Sequence, residues 1–197
     1  MQRFFDLLDE YNAALGDARA AVETRIRATY GRRAAVFVLD MSRFSLATRT
    51  HGILHYLGMI RRMQITTAPL VVASGGEVVK FEADNLFAIF PGVPAAVEAA
   101  IAINRVLAAG NTKVEDSRAV QVGVGIAWGD ILLVPGQDYF GDTVNLACKL
   151  GEDLAREGEI LLDAAAQGEI AGSTAYATDR VDFAISGLDL AAYRIGY

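Results

Sequence analysis

The sequence predicts an α+β fold, a ferredoxin-like antiparallel sheet with flanking helices, and three observations predict it. Strand-like apolar runs alternate with segments of helical periodicity in the order strand, helices, hairpin, helix, hairpin. Two of those runs, 77–81 and 86–90, are separated only by the short turn 82–85, which is a hairpin signature. The chain of 197 residues is 53% hydrophobic and 21% charged, enough apolar material for a substantial core and too much for a disordered tail.

Each element has its own justification. In 2–29, Phe4, Leu7, Leu8, Tyr11, Leu15, Ala18 and Val22 recur at helical spacing, predicting one amphipathic helix. Gly31-Arg32-Arg33 ends it, and the unbroken apolar run 34–39 reads as a buried strand. Leu46, Ile53, Leu54, Leu57, Ile60 and Met63 predict helix across 46–73, with a break or kink near Pro69. The turn Ser74-Gly75-Gly76 leads into the hairpin, whose tip carries Asp84. After Pro91-Gly92 comes an alanine-rich helix, 94–108, closed by Gly110, and then a polar loop, 111–118. Strands 120–127 and 131–134 are expected on either side of Trp128-Gly129-Asp130. A helix over 143–156 follows Gly141, and 160–162 is a short strand. A further helix and closing strands, including 180–183 and 191–195, complete the chain. The expected organisation is a helical extension, 1–33, and one domain, 34–197.

A net charge of −6 argues against nucleic-acid binding through phosphate contacts. No apolar run is long enough to read as a membrane span. Asp6, Asp9 and Glu10 do not make a basic-then-apolar leader, and the single cysteine, Cys148, cannot form an internal disulfide; a cytoplasmic protein is expected.

Asp40 closes the apolar run of the first strand, where an unpaired ion is costly. Taken alone it reads as a helix cap or turn-former, and Asp84 as an ordinary turn residue. A ferredoxin-like sheet, however, brings the end of its first strand near the tip of its hairpin. Two carboxylates converging there suit Mg²⁺ or Mn²⁺ with a triphosphate. Asn145 and Lys149 are one helical turn apart and share a face. His51 and His55 also lie at i and i+4, but no third zinc ligand is apparent near them, so they read as an ordinary helix face.

The segments FVLDMSRFS, GGEVVKFEADNLFAIF, VGVGIAWGDIL and DYFGDTVNLACKL together resemble the catalytic domain of class III nucleotide cyclases, in that family's order and over roughly 34–196. The resemblance implies two divalent metal ions, Mg or Mn, at Asp40 and Asp84, with Met41 beside them. One ion would acidify the ribose 3′-hydroxyl, and both would stabilise charge on the attacked α-phosphate. It implies that Lys80 and Asp138 read the base, lysine donating to adenine N1 and aspartate accepting from the exocyclic amine, a polarity that guanine mismatches. It further implies that Asn145 orients the ribose, that Lys149 stands where relatives carry an arginine against the phosphorus, and that Arg43, Phe44 and Ser45 form the phosphate loop. The partners implied are ATP and a second copy of the chain. In such a homodimer Asp40 and Asp84 come from one subunit and Lys80, Asp138, Asn145 and Lys149 from the other.

The sequence departs from the family pattern at several points. Lys149 keeps the charge of arginine but loses its planar fork. Arg43 replaces a small glycine, and no lysine occupies the turn 186–189, so Arg43 could supply that missing cation. Ala83 replaces the glycine before the second aspartate and is expected to be tolerated only if the turn needs no positive φ. The leading expectation is an adenylate cyclase. Two other readings stay open: a degenerate domain that binds nucleotide or mediates dimerisation, and a cyclase for another nucleoside triphosphate.

Overall fold

The computed structural model describes residues 1–42, 51–185 and 188–197. Helices α1 (Gln2–Ala13) and α2 (Gly16–Tyr30) lead into β1 (Gly31–Met41). There follow α3 (Ile53–Ala73), the hairpin β2 (Glu77–Glu82) and β3 (Asn85–Phe90), and α4 (Val93–Asn111). Beyond them lie β4 (Val122–Val134), β5 (Asp138–Phe140), α5 (Asp142–Cys148) with a π-helical continuation (Lys149–Leu154), and β6 (Ile160–Leu162). Helix α6 (Ala164–Ile170) and the hairpin β7 (Ala177–Ile185) and β8 (Leu188–Gly196) close the chain.

The strands form one sheet in the order β2-β3-β1-β4-β6-β8-β7, with β5 paired to β4. Every pairing is antiparallel except β4 with β6, so β2-β3-β1-β4 is the expected ferredoxin-like unit. Strand β1 is buried from Ala34 to Leu39 because it is central and covered on both faces. Its odd-numbered residues Ala35, Phe37, Leu39 and Met41 join the main core beneath α3, α4 and α6, and Val36 and Val38 face α5. Helix α4 is long and apolar enough to cross a membrane by length and composition, but half of that window is buried inside the domain.

Several sequence expectations need correction. The helix expected over 2–29 is two helices, broken at Ala14–Leu15 ahead of Gly16, which adopts a φ of +54°. Helix α3 runs through Pro69 without ending. Ile65 and Pro69 lie on its exposed side, where water can replace the missing hydrogen bond, and Met63, Thr67 and Val71 anchor the opposite side in the core. Helix α4 passes Gly110 and stops at Asn111, whose side chain exchanges two 2.9 Å hydrogen bonds with the Val120 backbone. Strand β4 is continuous through Trp128-Gly129-Asp130, which pair with Ala35, Ala34 and Arg33. Gly129 is no turn there; a side chain on it would meet Thr143 Oγ1 at 2.5 Å, so it lets α5 lie close. The sequence reading missed β5 and gave no sign that α5 loosens into a π turn at Lys149.

Candidate active site

The site is built on the sheet face covered by α5. Two glycines let that helix approach closely: a Cβ on Gly125 of β4 would lie 2.4 Å from the Ala147 carbonyl oxygen and from Gly151 N. One on Gly151 would lie 2.6 Å from the Val38 carbonyl oxygen. Neither gap admits a methyl group. Helix α5 and its π turn are therefore pressed onto β1 and β4, which brings Glu152 and Asp153 within electrostatic reach of Asp40 at the end of β1.

Asp40 is opposite Asn85 in the β1–β3 register, one residue beyond the hairpin tip that carries Asp84. Burial pushes the Asp40 carboxyl up to about 7, and the charges of Asp84, Glu152 and Asp153 add to the effect; the Met41 backbone N–H donates to the carboxylate and opposes it. Tyr56 of α3 is buried against the same pair: desolvation, Asp84 and Asp40 all raise its pKa. Glu152 is raised by burial and receives a 3.2 Å hydrogen bond from Asn85 Nδ2. Among the described residues neither Asp40 nor Asp84 forms an ion pair. No cluster of three His, Cys, Asp or Glu side chains able to hold a metal occurs among them either. The donors present are hard oxygens with excess negative charge, and they fit a hard divalent cation. The Met41 side chain is buried in the main core, so only its backbone faces this chemistry.

The hairpin turn does need a positive φ. Ala83 adopts +50°, the sole non-glycine residue with a positive φ among those described, which corrects the expectation that alanine is tolerated there only if the turn needs none.

Lys80 and Asp138, 58 residues apart in sequence, are brought together. Lys80 Nζ is 3.2 Å from Asp138 Oδ1 and 2.8 Å from Glu82 Oε2, and it lies 5.0 Å from the centroid of the Phe87 ring. A register shift between Val78 and Lys80 makes this possible. Val78 and Phe81 both pack toward the main core, so the extra residue turns Lys80 to the α5 face. Burial alone would lower the Lys80 pKa, but its bonds to Glu82 and Asp138 outweigh that and raise it. Asp138 is further fixed by accepting from the Tyr139 N–H at 2.9 Å.

Asn145 is exposed on α5, and Lys149 is half-buried at the start of the π turn. Cys148, beside Lys149, is half-buried, its thiol pushed up to about 11 by burial and the neighbouring Glu152. Arg43, Phe44 and Ser45 lie outside the described residues, as does the centre of the turn 186–189, so the phosphate-loop expectation falls there. The His51 and His55 rings are 4.8 Å apart, and His55 Nε2 donates to the Ser117 carbonyl at 2.7 Å, a structural tie to the loop after α4. Trp128 packs against the main core with the Arg33 guanidinium 5.5 Å from its ring.

Solved structures similar to this chain include nucleotide cyclase domains. An adenylyl cyclase, CyaB, from P. aeruginosa superposes with a TM-score of 0.72 at 18% identity, covering 85% of this chain and 96% of that one. The catalytic core of a rhodopsin-guanylyl cyclase with converted specificity, in complex with ATPαS, gives 0.70 at 17% identity, covering 84% and 98%. In sequence, the chain is 32% identical over 139 residues to an adenylate cyclase of Streptomyces coelicolor, covering 71% of this chain and 34% of that protein. It is 33% identical over 157 residues to a Rhizobium meliloti protein provisionally named adenylate cyclase 3, covering 79% and 25%. The chain has the fold of nucleotide cyclase catalytic domains and is similar in sequence to proteins named adenylate cyclase. The chain spans about a quarter to a third of the length of those two relatives. No family model matches it.

Proposed function

We propose that the domain is an adenylate cyclase, converting ATP to 3′,5′-cyclic AMP and pyrophosphate at sites shared between two copies of the chain. The observation that carries this reading is the Lys80–Asp138 pair at 3.2 Å. An ammonium donor beside a carboxylate acceptor matches the N1 and exocyclic amine of adenine, and guanine would leave both protein groups facing the wrong partner.

Asp40 and Asp84, with the Met41 carbonyl, would hold two divalent ions, Mg²⁺ or Mn²⁺. Those ions supply Lewis-acid stabilisation of negative charge on the triphosphate and the 3′-oxygen. The chain's own groups do the rest. Lys80 and Asp138 orient the base, Asn145 orients the ribose, and Lys149 places a positive charge where the phosphate becomes more negative during attack. Arg43, Phe44 and Ser45 are assigned to the phosphate loop. In the homodimer, Asp40 and Asp84 of one copy face Lys80, Asp138, Asn145 and Lys149 of the other. The single cysteine fits a reducing compartment, and we assign the domain to the cytoplasm.

Two features favour the alternative of a nucleotide-binding module with little turnover. Glu82 competes for Lys80 at 2.8 Å, and Lys149 lacks the fork of an arginine. Purified protein incubated with each of ATP, GTP, CTP and UTP and Mn²⁺, with products resolved chromatographically, decides between them. Cyclic AMP from ATP in clear excess is the expected result. Binding without product supports the module, and preference for another triphosphate overturns the base assignment.

A further inference from the structure

We infer that helix α1 is a positioning element for the site, acting through a ring stack of Phe4 on Phe140; the inference rests on the function proposed above. Phe4 is 3% exposed. Its ring is parallel to that of Phe140, at 5.4 Å and 6°, and meets Tyr30 of α2 edge-on at 5.0 Å and 81°. Val134, Val22 and Ile26 complete the buried cluster, with Leu7, Leu8 and Tyr11 of α1 packed against it, and an Arg25–Glu10 ion pair links the two helices.

The segment under this stack is the one that carries the substrate-reading residues. Phe140 lies two residues after Asp138 and two before Asp142, the first residue of α5, which bears Asn145. Strand β5 is only three residues long and pairs with β4 alone, Val134 opposite Asp138. So short a strand has little stability of its own. It is held from its two faces: Tyr139 is buried in the cluster under α5, and Phe140 is turned the other way, onto Phe4. Gly141, at a φ of +140°, joins strand to helix without stiffening the junction. Val134, opposite Asp138, and Phe140, opposite Leu132, both touch the α1 cluster, so α1 holds the β4–β5 pair at both of its ends, one of them at Asp138. Lifting α1 would free Phe140, which is already 38% exposed, and let Asp138 drift from Lys80 while the first turn of α5 swings on Gly141. Anything that moves α1 would therefore be felt as a change in substrate positioning.

The test uses the full chain with Phe4→Ala, with Phe4→Leu, which keeps burial without the ring, and with Ile170→Ala in α6 as a destabilising control remote from β5. Hydrogen–deuterium exchange over 138–149 is read first, and KM and kcat for ATP with Mn²⁺ second. Phe4→Ala is expected to speed exchange over 138–149 about fivefold or more, raise KM, and cut kcat/KM about tenfold or more. Phe4→Leu should fall between it and wild type, and it carries the test if the alanine variant does not fold. Ile170→Ala should leave exchange over 138–149 and KM unchanged. Unaltered exchange in both Phe4 variants overturns the inference, and so does faster exchange with wild-type KM and kcat. If the wild-type chain makes no cyclic AMP, the proposed function fails, yet the exchange arm still decides whether α1 holds this segment.

Discussion

Asp40→Asn should make the metal-free domain more stable at pH 8 and leave it unchanged near pH 4. The Asp40 carboxyl is raised from its ordinary 3.8 to about 7, first by burial and then by Asp84, Glu152 and Asp153. Its folded pKa therefore lies above its unfolded one. The folded state binds the proton more tightly, so the stabilising contribution is complete below about pH 4 and is lost as pH rises through about 7. That gap corresponds to about 4 kcal/mol for a fully shielded group. Asp40 is partly open to solvent, so screening reduces the expected penalty at pH 8 to about 2 kcal/mol. Asparagine removes the charge and keeps an oxygen to accept the Met41 N–H. In a chain of this size the gain would raise Tm by about 4–8 °C. The assay is thermal and urea unfolding of both proteins in chelator at pH 4, 6 and 8, repeated with Mn²⁺. The ion should stabilise wild type strongly at pH 8, weakly at pH 5, and Asp40→Asn little at any pH, because the ligand must lose its proton to bind. The reasoning is refuted if Asp40→Asn is no more stable than wild type at pH 8 in chelator.

Other consequences follow from the same geometry. Gly125→Ala should destabilise by about 2–3 kcal/mol or more in urea unfolding, because its methyl would meet the Ala147 carbonyl oxygen and Gly151 N at 2.4 Å. It should also cut turnover by pushing α5 away. Ala83→Gly should stabilise by about 1 kcal/mol, relieving the +50° φ at some cost in unfolded-chain entropy, with a higher denaturation midpoint as the check. Lys149→Ala should lower kcat about 10²-fold, whereas Lys149→Arg preserves or raises it by adding a second contact to the phosphate. Steady-state assays at saturating Mn²⁺ and ATP separate these outcomes, and wild-type behaviour of Lys149→Ala would make it a surface residue.

The fold was legible because its signals are local. The apolar run 34–39, the hairpin at 77–90 and the helical spacing of 94–108 each need only neighbouring residues to be read. Boundaries failed where tertiary packing decided them. The pairing of β1 with β4 keeps Trp128-Gly129-Asp130 extended, and Pro69 is tolerated because its side of α3 faces water. In the candidate site, Asp40 and Asp84 read alone as a cap and a turn residue, and only the expected approach of the strand end to the hairpin tip, with the family resemblance, singled them out. The contact of Lys80 with Asp138 could not be derived from spacing, because it depends on the irregularity beside Val79 that reverses which face Lys80 takes. Glu152 and Tyr56 were missed for a similar reason. Glu152 reaches the carboxylate cluster through a π turn that no periodicity announces, and Tyr56 looks like any aromatic on the buried side of a helix.

The central claim is ATP cyclisation at a site shared by two copies, and one mixing experiment tests it most directly. Asp40→Ala and Asn145→Ala are purified separately, unfolded or dissociated together, and reassembled at equal concentrations before ATP and Mn²⁺ are added. Each protein alone should make almost no cyclic AMP. Random pairing gives hybrid dimers in which one of the two sites carries only wild-type groups, so the mixture should recover about a quarter of wild-type activity. Demonstrably mixed dimers that remain inactive would contradict the account.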